Sequence, residues 1–142
     1  MRTIKFRAKD FTGTWQYGFI AKGNVQAVII PVHKDCTVDM GIYIYVKLET
    51  VGQFTGLTDE FDREVYEGDI IMLDGSPEIG ARVVVFYEES FNIATRKEYD
   101  YLQQGSHPYL NDYAHMDCLN TWSNSGLVRI VGNIYDNPEL LK

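Results

Sequence analysis

The chain consists largely of short apolar runs separated by turn-forming residues. The runs are rich in β-branched and aromatic residues, as at Val28-Ile29-Ile30 and at Val83-Val84-Val85-Phe86-Tyr87, and such runs are typical of strands. Gly, Asn and Asp between the runs permit tight reversals, as at Lys22-Gly23-Asn24. The pattern predicts strands over residues 3–9, 14–22, 25–31, 41–53, 69–74, 80–88, 90–95 and 127–135.

Helix is scarce in this pattern. Residues 95–104 form the best helical candidate, because Thr95 can cap the amino end and Gly105 can follow the carboxyl end. A single turn is predicted at 137–141, where Pro138 occupies a first helical position. Residues 105–126 show no clear period, so a long loop is expected there. Many short strands with turns between them favour a barrel or a sandwich.

Length and composition indicate one globular domain. The chain has 142 residues, of which 45% are hydrophobic and 23% are charged, close to the average for globular domains. No apolar run is long enough to cross a bilayer, and the first residues lack the apolar core of a secretory signal. We therefore expect a cytoplasmic protein with no membrane partner.

The charge balance disfavours nucleic acid as a partner. The formal net charge is −7, whereas attachment to phosphates depends on cationic side chains. Lys5, Arg7 and Lys9 alternate along a predicted strand and so share one face, which is either a solvated face or a basic stripe. A nucleic-acid-binding barrel remains an alternative if Arg82 and Arg129 gather on the same surface as these three residues.

Four segments carry a resemblance to a known family, and they occur in that family's order. They are Ile4-Lys5-Phe6-Arg7-Ala8-Lys9 followed by Trp15-Gln16-Tyr17-Gly18; Thr50-Val51-Gly52-Gln53-Phe54-Thr55-Gly56-Leu57-Thr58-Asp59; Val65-Tyr66-Glu67-Gly68-Asp69-Ile70-Ile71; and Ile130-Val131-Gly132-Asn133-Ile134-Tyr135-Asp136-Asn137-Pro138-Glu139-Leu140-Leu141. Together they resemble the YopX-like family.

The resemblance implies a small β-rich protein of phages and prophages, with a barrel similar to an SH3 domain and no established activity. The expected fold is mainly β: a small SH3-like barrel with additional N-terminal strands or hairpins and one short helix. Residues 1–142 form a single domain, or divide into an N-terminal hairpin region at 1–55 and a barrel at 56–142 that carries the 105–126 loop. The resemblance supplies no catalytic residue.

The glycines of these motifs have structural explanations. Gly56, Gly68 and Gly132 are expected where the backbone needs positive φ or a close approach. One turn departs from the family pattern, because Glu60-Phe61-Asp62 replaces a compact Asn-Gly turn. Phe61 then either faces solvent at a loop tip, as a contact residue, or packs back onto the barrel.

Two groups of side chains could hold metal ions. His33 and Cys36 are three residues apart, as are His115 and Cys118. These four could ligate a tetrahedral Zn²⁺, in a zinc-binding protein or an enzyme, or remain ordinary loop histidines and buried thiols. Asp59, Glu60, Asp62, Glu64, Glu67 and Asp69 could bind Ca²⁺, but the glycine of an EF-hand loop is missing. A solvated acidic loop is favoured for the second group, and no cofactor is expected.

Catalytic motifs are missing from the sequence, whereas aromatic residues are abundant. The chain has no nucleophile elbow, phosphate-binding loop or dinucleotide fingerprint, so we expect no enzymatic activity. Tyr and Trp combine a large contact area with a polar tip and are enriched at interfaces. The interaction candidates are Tyr43, Tyr45, Phe61, Tyr109, Tyr113 and Trp122. We expect a non-enzymatic accessory protein that forms a homo-oligomer and binds a phage or host protein.

Overall fold

The structure, a computed structural model, describes residues 4–33, 35, 37–105, 117–123 and 126–141. These residues form two antiparallel sheets and few helices, so the prediction of a mainly β protein is confirmed. The chain divides into two compact units, Met1–Gly56 and Leu57–Lys142.

The first unit is built on four strands that follow one another in the sheet as they do in the chain. Gly13, at φ 88°, allows the first reversal, and a turn in which the Gly23 N–H donates to the Gln26 carbonyl oxygen makes the second. Each strand pairs with the next in antiparallel register. The elements are β1 (Phe6–Lys9), β2 (Trp15–Lys22), β3 (Ala27–Pro31), β4 (Ile44–Val46), a 3-10 turn (Leu48–Thr50) and β5 (Gly52–Thr58). With β6 (Glu64–Tyr66), the order of this sheet is β4-β3-β2-β1-β5-β6.

Side chains alternate across this sheet, and the alternation creates its core. Ala8, Ala27, Ile29 and Val46 are buried together on one face, because paired residues of neighbouring strands point to the same side. Thr50 helps to hold the 3-10 turn against β1, since its Oγ1 accepts a hydrogen bond from the Lys9 backbone N–H at 2.9 Å. The other face of β1–β4 carries Arg7, Tyr17, Val28 and Tyr45.

The second unit contains the other sheet, in the order β10-β9-β8-β7-β11. Its elements are β7 (Asp69–Leu73), a 3-10 turn (Pro77–Ile79), β8 (Arg82–Tyr87), β9 (Ser90–Ala94), α1 (Arg96–Gln103), β10 (Asp117–Cys118), α2 (Leu119–Ser123), β11 (Val128–Asn133) and a 3-10 turn (Pro138–Leu140). Its strands are apolar on both faces because both faces are covered. Val84 packs in a cluster with Leu119, whereas Val83 and Val85 pack in a second cluster with Leu141.

Several sequence predictions are confirmed in detail. The helix predicted at 95–104 is α1, and Thr95 caps it through a reciprocal pair of hydrogen bonds: Glu98 N–H donates to Thr95 Oγ1 at 3.2 Å, and Thr95 N–H donates to Glu98 Oε1 at 2.9 Å. Gly56 and Gly68 adopt φ of 83° and 93°. Gly132 instead meets a close approach, because an added Cβ would lie 2.6 Å from Asn137 Oδ1.

Other predictions differ from the structure. The single strand predicted at 41–53 is wrong, since the 3-10 turn at Leu48–Thr50 separates β4 from β5. Part of the predicted 105–126 loop is ordered as β10 and α2, where Leu119 is buried. Among the described residues neither sheet closes on itself, so the SH3-like barrel is not confirmed. No helix in the described ranges is long and apolar enough to cross a membrane.

Candidate interaction surface on the first sheet

Tyr45 of β4 and Tyr43, which immediately precedes this strand, lie on the outer face of the first sheet. The side chains of Ile44 and Val46 point into the core, so the alternation sends Tyr43 and Tyr45 outward. Tyr43 is 55% exposed and Tyr45 is 50% exposed. Their rings contact each other edge to face, with centroids 5.7 Å apart. The sequence-predicted pair therefore lies together at the solvent surface.

Tyr45 lines two hollows in the surface of the first unit. A hollow of about 300 Å³ lies between Tyr45 and the exposed side chains of Phe11 and Val25. A second, of about 340 Å³, is more open and lies over Ala21 and Val28, which are in one row with Tyr45 across β2, β3 and β4. We call Tyr43, Tyr45 and the two hollows the Tyr45 surface.

Charged residues line both hollows. Lys47 and Glu49 line the first hollow, next to Leu48, and Lys22 lines the second. The surface thus offers apolar area with two ammonium groups and one carboxylate around it. Sequence reasoning missed Phe11, Lys22 and Lys47, because their approach to Tyr45 depends on how the β2–β3 hairpin and the turn after β1 are placed beside β4.

A row of cations and aromatic rings lies on the same face of the sheet, over β1, β2 and β5, where Arg7 and Phe54 are buried and Lys5, Lys9 and Trp15 are partly buried. The guanidinium of Arg7 stands 4.5 Å from the Trp15 ring centroid, and Lys9 Nζ lies 5.5 Å from it. Lys5 Nζ lies 5.1 Å from the centroid of Phe54. The alternation of Lys5, Arg7 and Lys9 thus puts them on one face as predicted, where they contact aromatic rings.

Charge is divided unequally between the two units. Residues 1–56 contain seven Lys and Arg against four Asp and Glu, which gives +3. Residues 57–142 contain six against sixteen, which gives −10, so the two parts account for the net charge of −7. The whole-chain charge therefore conceals a cationic first unit. The cations Arg82 and Arg129 belong to the second unit, where Arg129 Nη2 lies 3.2 Å from Asp74 Oδ1.

Phe61 stands at the tip of the loop before β6. It is 64% exposed, and the Arg63 guanidinium lies 5.4 Å from its ring centroid. The residue that takes positive φ in this turn is Asp62, at 61°, so the aromatic residue avoids the left-handed region. Phe61 is available for contact, but it belongs to the second unit and not to the Tyr45 surface.

The acidic residues around this loop have structural partners. The side chain of Asp59 is fully buried, and it accepts hydrogen bonds from Arg63 Nε at 2.9 Å and from the Ile130 backbone N–H at 3.2 Å. Burial acts to raise the pKa of Asp59, but the hydrogen bonds from Arg63, Ile130 and Phe61 outweigh it and lower the pKa. Asp69 likewise accepts from the Tyr66 backbone N–H at 2.8 Å.

One carboxyl pair lies near this loop. A hydrogen bond with Asp74 raises the pKa of Glu60 above its ordinary value, and the same bond lowers the pKa of Asp74. Arg129 Nε approaches Glu60 Oε1 at 4.0 Å. Among the described residues no group of three or more His, Cys, Asp or Glu is placed to hold a metal ion.

The proposed zinc ligands and the other aromatic candidates lie partly within and partly outside the residues that the structure describes. Cys36, Tyr109, Tyr113 and His115 lie outside the described residues, so the zinc hypothesis stays a prediction. His33 Nε2 lies 3.0 Å from Asp39 Oδ2, and Cys118 is exposed on β10. Trp122 is partly buried and packs against the core cluster that contains Leu119, so much of its surface contributes to packing.

Comparisons with known proteins identify a family and a similar fold. The family model described as YopX protein matches residues 5–142. The crystal structure of protein EF1440 from Enterococcus faecalis is similar to this chain, with a TM-score of 0.52 and 18% sequence identity over 100% of both chains. At that identity the likeness concerns the fold. No curated protein sequence matches this chain.

Proposed function

This chain belongs to the YopX family, and we propose that it is a non-enzymatic binding protein that self-associates through the Tyr45 surface. The observation that carries the proposal is the group of exposed aromatic and aliphatic side chains around Tyr45. The resemblance in the sequence motifs supports a role as an accessory protein of a phage or prophage, acting in the cytoplasm of its bacterial host and binding a further protein there.

The composition of the surface supports an interface. Tyr43, Tyr45 and Phe11 are all at least half exposed, and they lie close together in one unit. Removing neighbouring apolar area from water stabilises association by about 25 cal/mol for each Å² buried. Tyrosine also loses little conformational freedom on binding, because it has only two side-chain torsions.

The two hollows support binding of a partner whose side chains project into them over binding of a partner with a flat surface. Residues that enter pockets near the centre of an interface contribute most of the binding free energy in characterised complexes. Both hollows are lined by Tyr45, Gln26 and Ala27, so a projecting segment with apolar and charged side chains could use both at once. Lys22 and Lys47 favour acidic groups on that segment.

Self-association is tested by replacing Tyr45 with serine. We expect Tyr45→Ser to weaken association by roughly tenfold, since loss of a central aromatic contact costs about 1–2 kcal/mol or more. Analytical ultracentrifugation over a range of protein concentrations measures the change. Tyr45 is exposed at the surface, so the substitution is expected to leave the fold intact, which circular dichroism checks.

The matched control is Phe61→Ser, which removes an exposed aromatic ring of the second unit. It is expected to leave association unchanged. A wild-type protein that stays monomeric at every concentration would overturn the proposal of self-association. If Phe61→Ser weakens association and Tyr45→Ser does not, the interface contains Phe61 and does not lie on the Tyr45 surface.

A second candidate function is binding of single-stranded nucleic acid by the cation and aromatic row of β1 and β2. It is favoured by the shared face of Lys5, Lys9 and Trp15, which are partly exposed, and by the charge of +3 on residues 1–56. Arg7 lies on the same face but is buried. Bases stack on aromatic rings while cations contact the phosphates, an arrangement that small β proteins use without sequence preference.

Fluorescence anisotropy with a labelled single-stranded oligonucleotide tests this second candidate. We expect measurable binding at low salt that weakens steeply as salt is added, because counterions are released when phosphates are neutralised. Lys9→Glu should reduce the affinity several-fold, while Lys97→Glu, in α1 of the second unit, should not. Absence of binding at low salt would exclude this candidate.

A further inference from the structure

The turn between β8 and β9 has an unusual composition. Tyr87 and Ser90 are paired in the ladder, so the loop between them consists of only Glu88 and Glu89. Both residues have positive φ, 49° and 64°, as a type I′ turn requires. Such turns prefer Asn and Gly, because other residues meet steric resistance in the left-handed region. Two adjacent glutamates are therefore an unfavourable choice for the turn itself.

The surroundings hold this turn in place. The Asn92 Nδ2 group donates to the backbone oxygens of Tyr87 and Ser90, at 3.0 and 3.1 Å. Both glutamates are exposed, and so is Phe86, whose ring contacts Phe91 at a centroid distance of 5.0 Å. The hairpin tip thus presents one aromatic ring and two carboxylates to solvent. We call Phe86, Glu88 and Glu89 the acidic tip.

We propose that the acidic tip of one molecule docks on the Tyr45 surface of a second copy of this chain. The inference rests on the proposed function and names the partner of that surface. Phe86 would enter a hollow beside Tyr45, and Glu88 and Glu89 would pair with Lys22 and Lys47. The contact joins two different surfaces, so assembly is head to tail.

Charge complementarity supports a second copy as the occupant. The surface belongs to a unit of charge +3 and the tip to a unit of charge −10, so two copies attract when unlike units approach. Like units repel, which disfavours a symmetric contact between two Tyr45 surfaces. Glu49 in the first hollow opposes an incoming carboxylate, so Lys22 and Lys47 must together outweigh it.

Complementary charge reversal tests the contact. One variant carries Glu88→Lys and Glu89→Lys, and the other carries Lys22→Glu and Lys47→Glu. Each alone is expected to associate at least about tenfold more weakly than wild type, because attraction becomes repulsion. An equimolar mixture of the two should associate again, since the basic tip of one variant fits the acidic surface of the other. Sedimentation velocity at low salt measures all four samples.

A further variant separates loss of charge from loss of fold. Glu88→Asn with Glu89→Gly supplies the residues that the turn prefers, so it should raise the melting temperature while association falls. The control is Glu78→Lys with Glu139→Lys, which makes the same change of charge at exposed positions away from the tip and should associate more strongly than the tip reversal.

The outcomes distinguish this inference from the proposed function. Restored association in the mixture supports head-to-tail docking. If Tyr45→Ser weakens association but the tip variants associate like wild type, the Tyr45 surface has another occupant and the inference is wrong. If the mixture stays as weak as its components, the tip and the surface do not meet. A wild-type protein that never associates would overturn the proposed function itself.

Discussion

Gly18→Ala is expected to destabilise the protein by about 3 kcal/mol or more, because the sheet has no room for a methyl group there. Gly18 is buried in β2, between Phe6 of β1 and Pro31 of β3. A Cβ at this position would overlap the Ile30 carbonyl oxygen and lie 2.9 Å from its carbon and 3.0 Å from Pro31 Cα. Backbone atoms cannot turn aside as a flexible side chain can, so the strands must move apart.

Urea unfolding followed by circular dichroism measures this effect. The matched control is Gly23→Ala, because an added Cβ at Gly23 would meet only the Gln26 carbonyl oxygen, at 3.7 Å. That substitution should change the unfolding free energy by less than about 0.5 kcal/mol. Equal unfolding midpoints for Gly18→Ala and the wild type would show that β2 and β3 do not approach closely at this point.

Asp59→Ala is expected to cost about 3 kcal/mol, because it removes a buried carboxylate that accepts hydrogen bonds from several partly buried donors at once. The carboxylate accepts from the backbone N–H of Phe61 and Arg63, at 3.0 and 2.9 Å, in addition to the Arg63 side chain and Ile130. Arg63 also donates from Nη2 to the Ile130 carbonyl oxygen at 2.9 Å. The Asp59 side chain thus joins the loop before β6 to β11, and its removal breaks the hydrogen bonds to both elements.

The comparison variant is Asp100→Ala in α1. Arg96 and Asp100 are also four residues apart, at 3.2 Å, but Asp100 is about half exposed where Asp59 is fully buried, so the loss should be at most about 0.5 kcal/mol. Urea unfolding of the two variants separates burial from charge pairing. Similar losses of stability in Asp59→Ala and Asp100→Ala would show that the Asp59 carboxylate is not a buried hydrogen-bond acceptor.

The same carboxylate makes stability depend on pH. The pKa of Asp59 is lower in the folded protein than its ordinary value of 3.8. The stabilisation is therefore complete above the ordinary value and is lost as the pH falls through the folded pKa. Asp59→Ala should consequently lose less stability between neutral and strongly acidic pH than the wild type does.

Local chemistry made much of the fold predictable. Thr95 and Glu98 form a capping pair whose spacing is visible in the sequence, and α1 starts where that pair requires. The uninterrupted run at Val83-Val84-Val85 indicated a strand, and its continuity follows from a sheet covered on both faces. Gly56 and Gly68 marked positions of positive φ.

Predictions that depend on distant contacts were less successful. Residues 41–53 look like one strand, but the Thr50 hydroxyl bonds to the β1 backbone and to the Lys47 carbonyl oxygen and so holds a 3-10 turn. Leu119 gave no periodic signal, because α2 is short and its burial depends on packing against the second sheet. Barrel closure is a property of strand register, which composition does not encode.

The candidate surface was predictable only where it depends on local sequence, and the parts that depend on distant contacts were not. The alternation in β4 was sufficient to place Tyr43 and Tyr45 outward, since a strand has a period of two. The hollows required knowledge of where the β2–β3 hairpin and Phe11 lie, which is set by the folded sheet. The unfavourable Glu88-Glu89 turn was also hidden, because its meaning depends on a two-residue loop between paired strands.

The unequal division of charge changes how the molecule should be viewed as a colloidal particle. A particle with −7 spread evenly would repel its own kind at all approaches. With +3 on one unit and −10 on the other, the protein is instead a patchy particle, and its osmotic second virial coefficient averages attractive and repulsive approaches. Dissolved salt screens both the attraction and the repulsion, so the balance between them, and with it the second virial coefficient, changes with ionic strength.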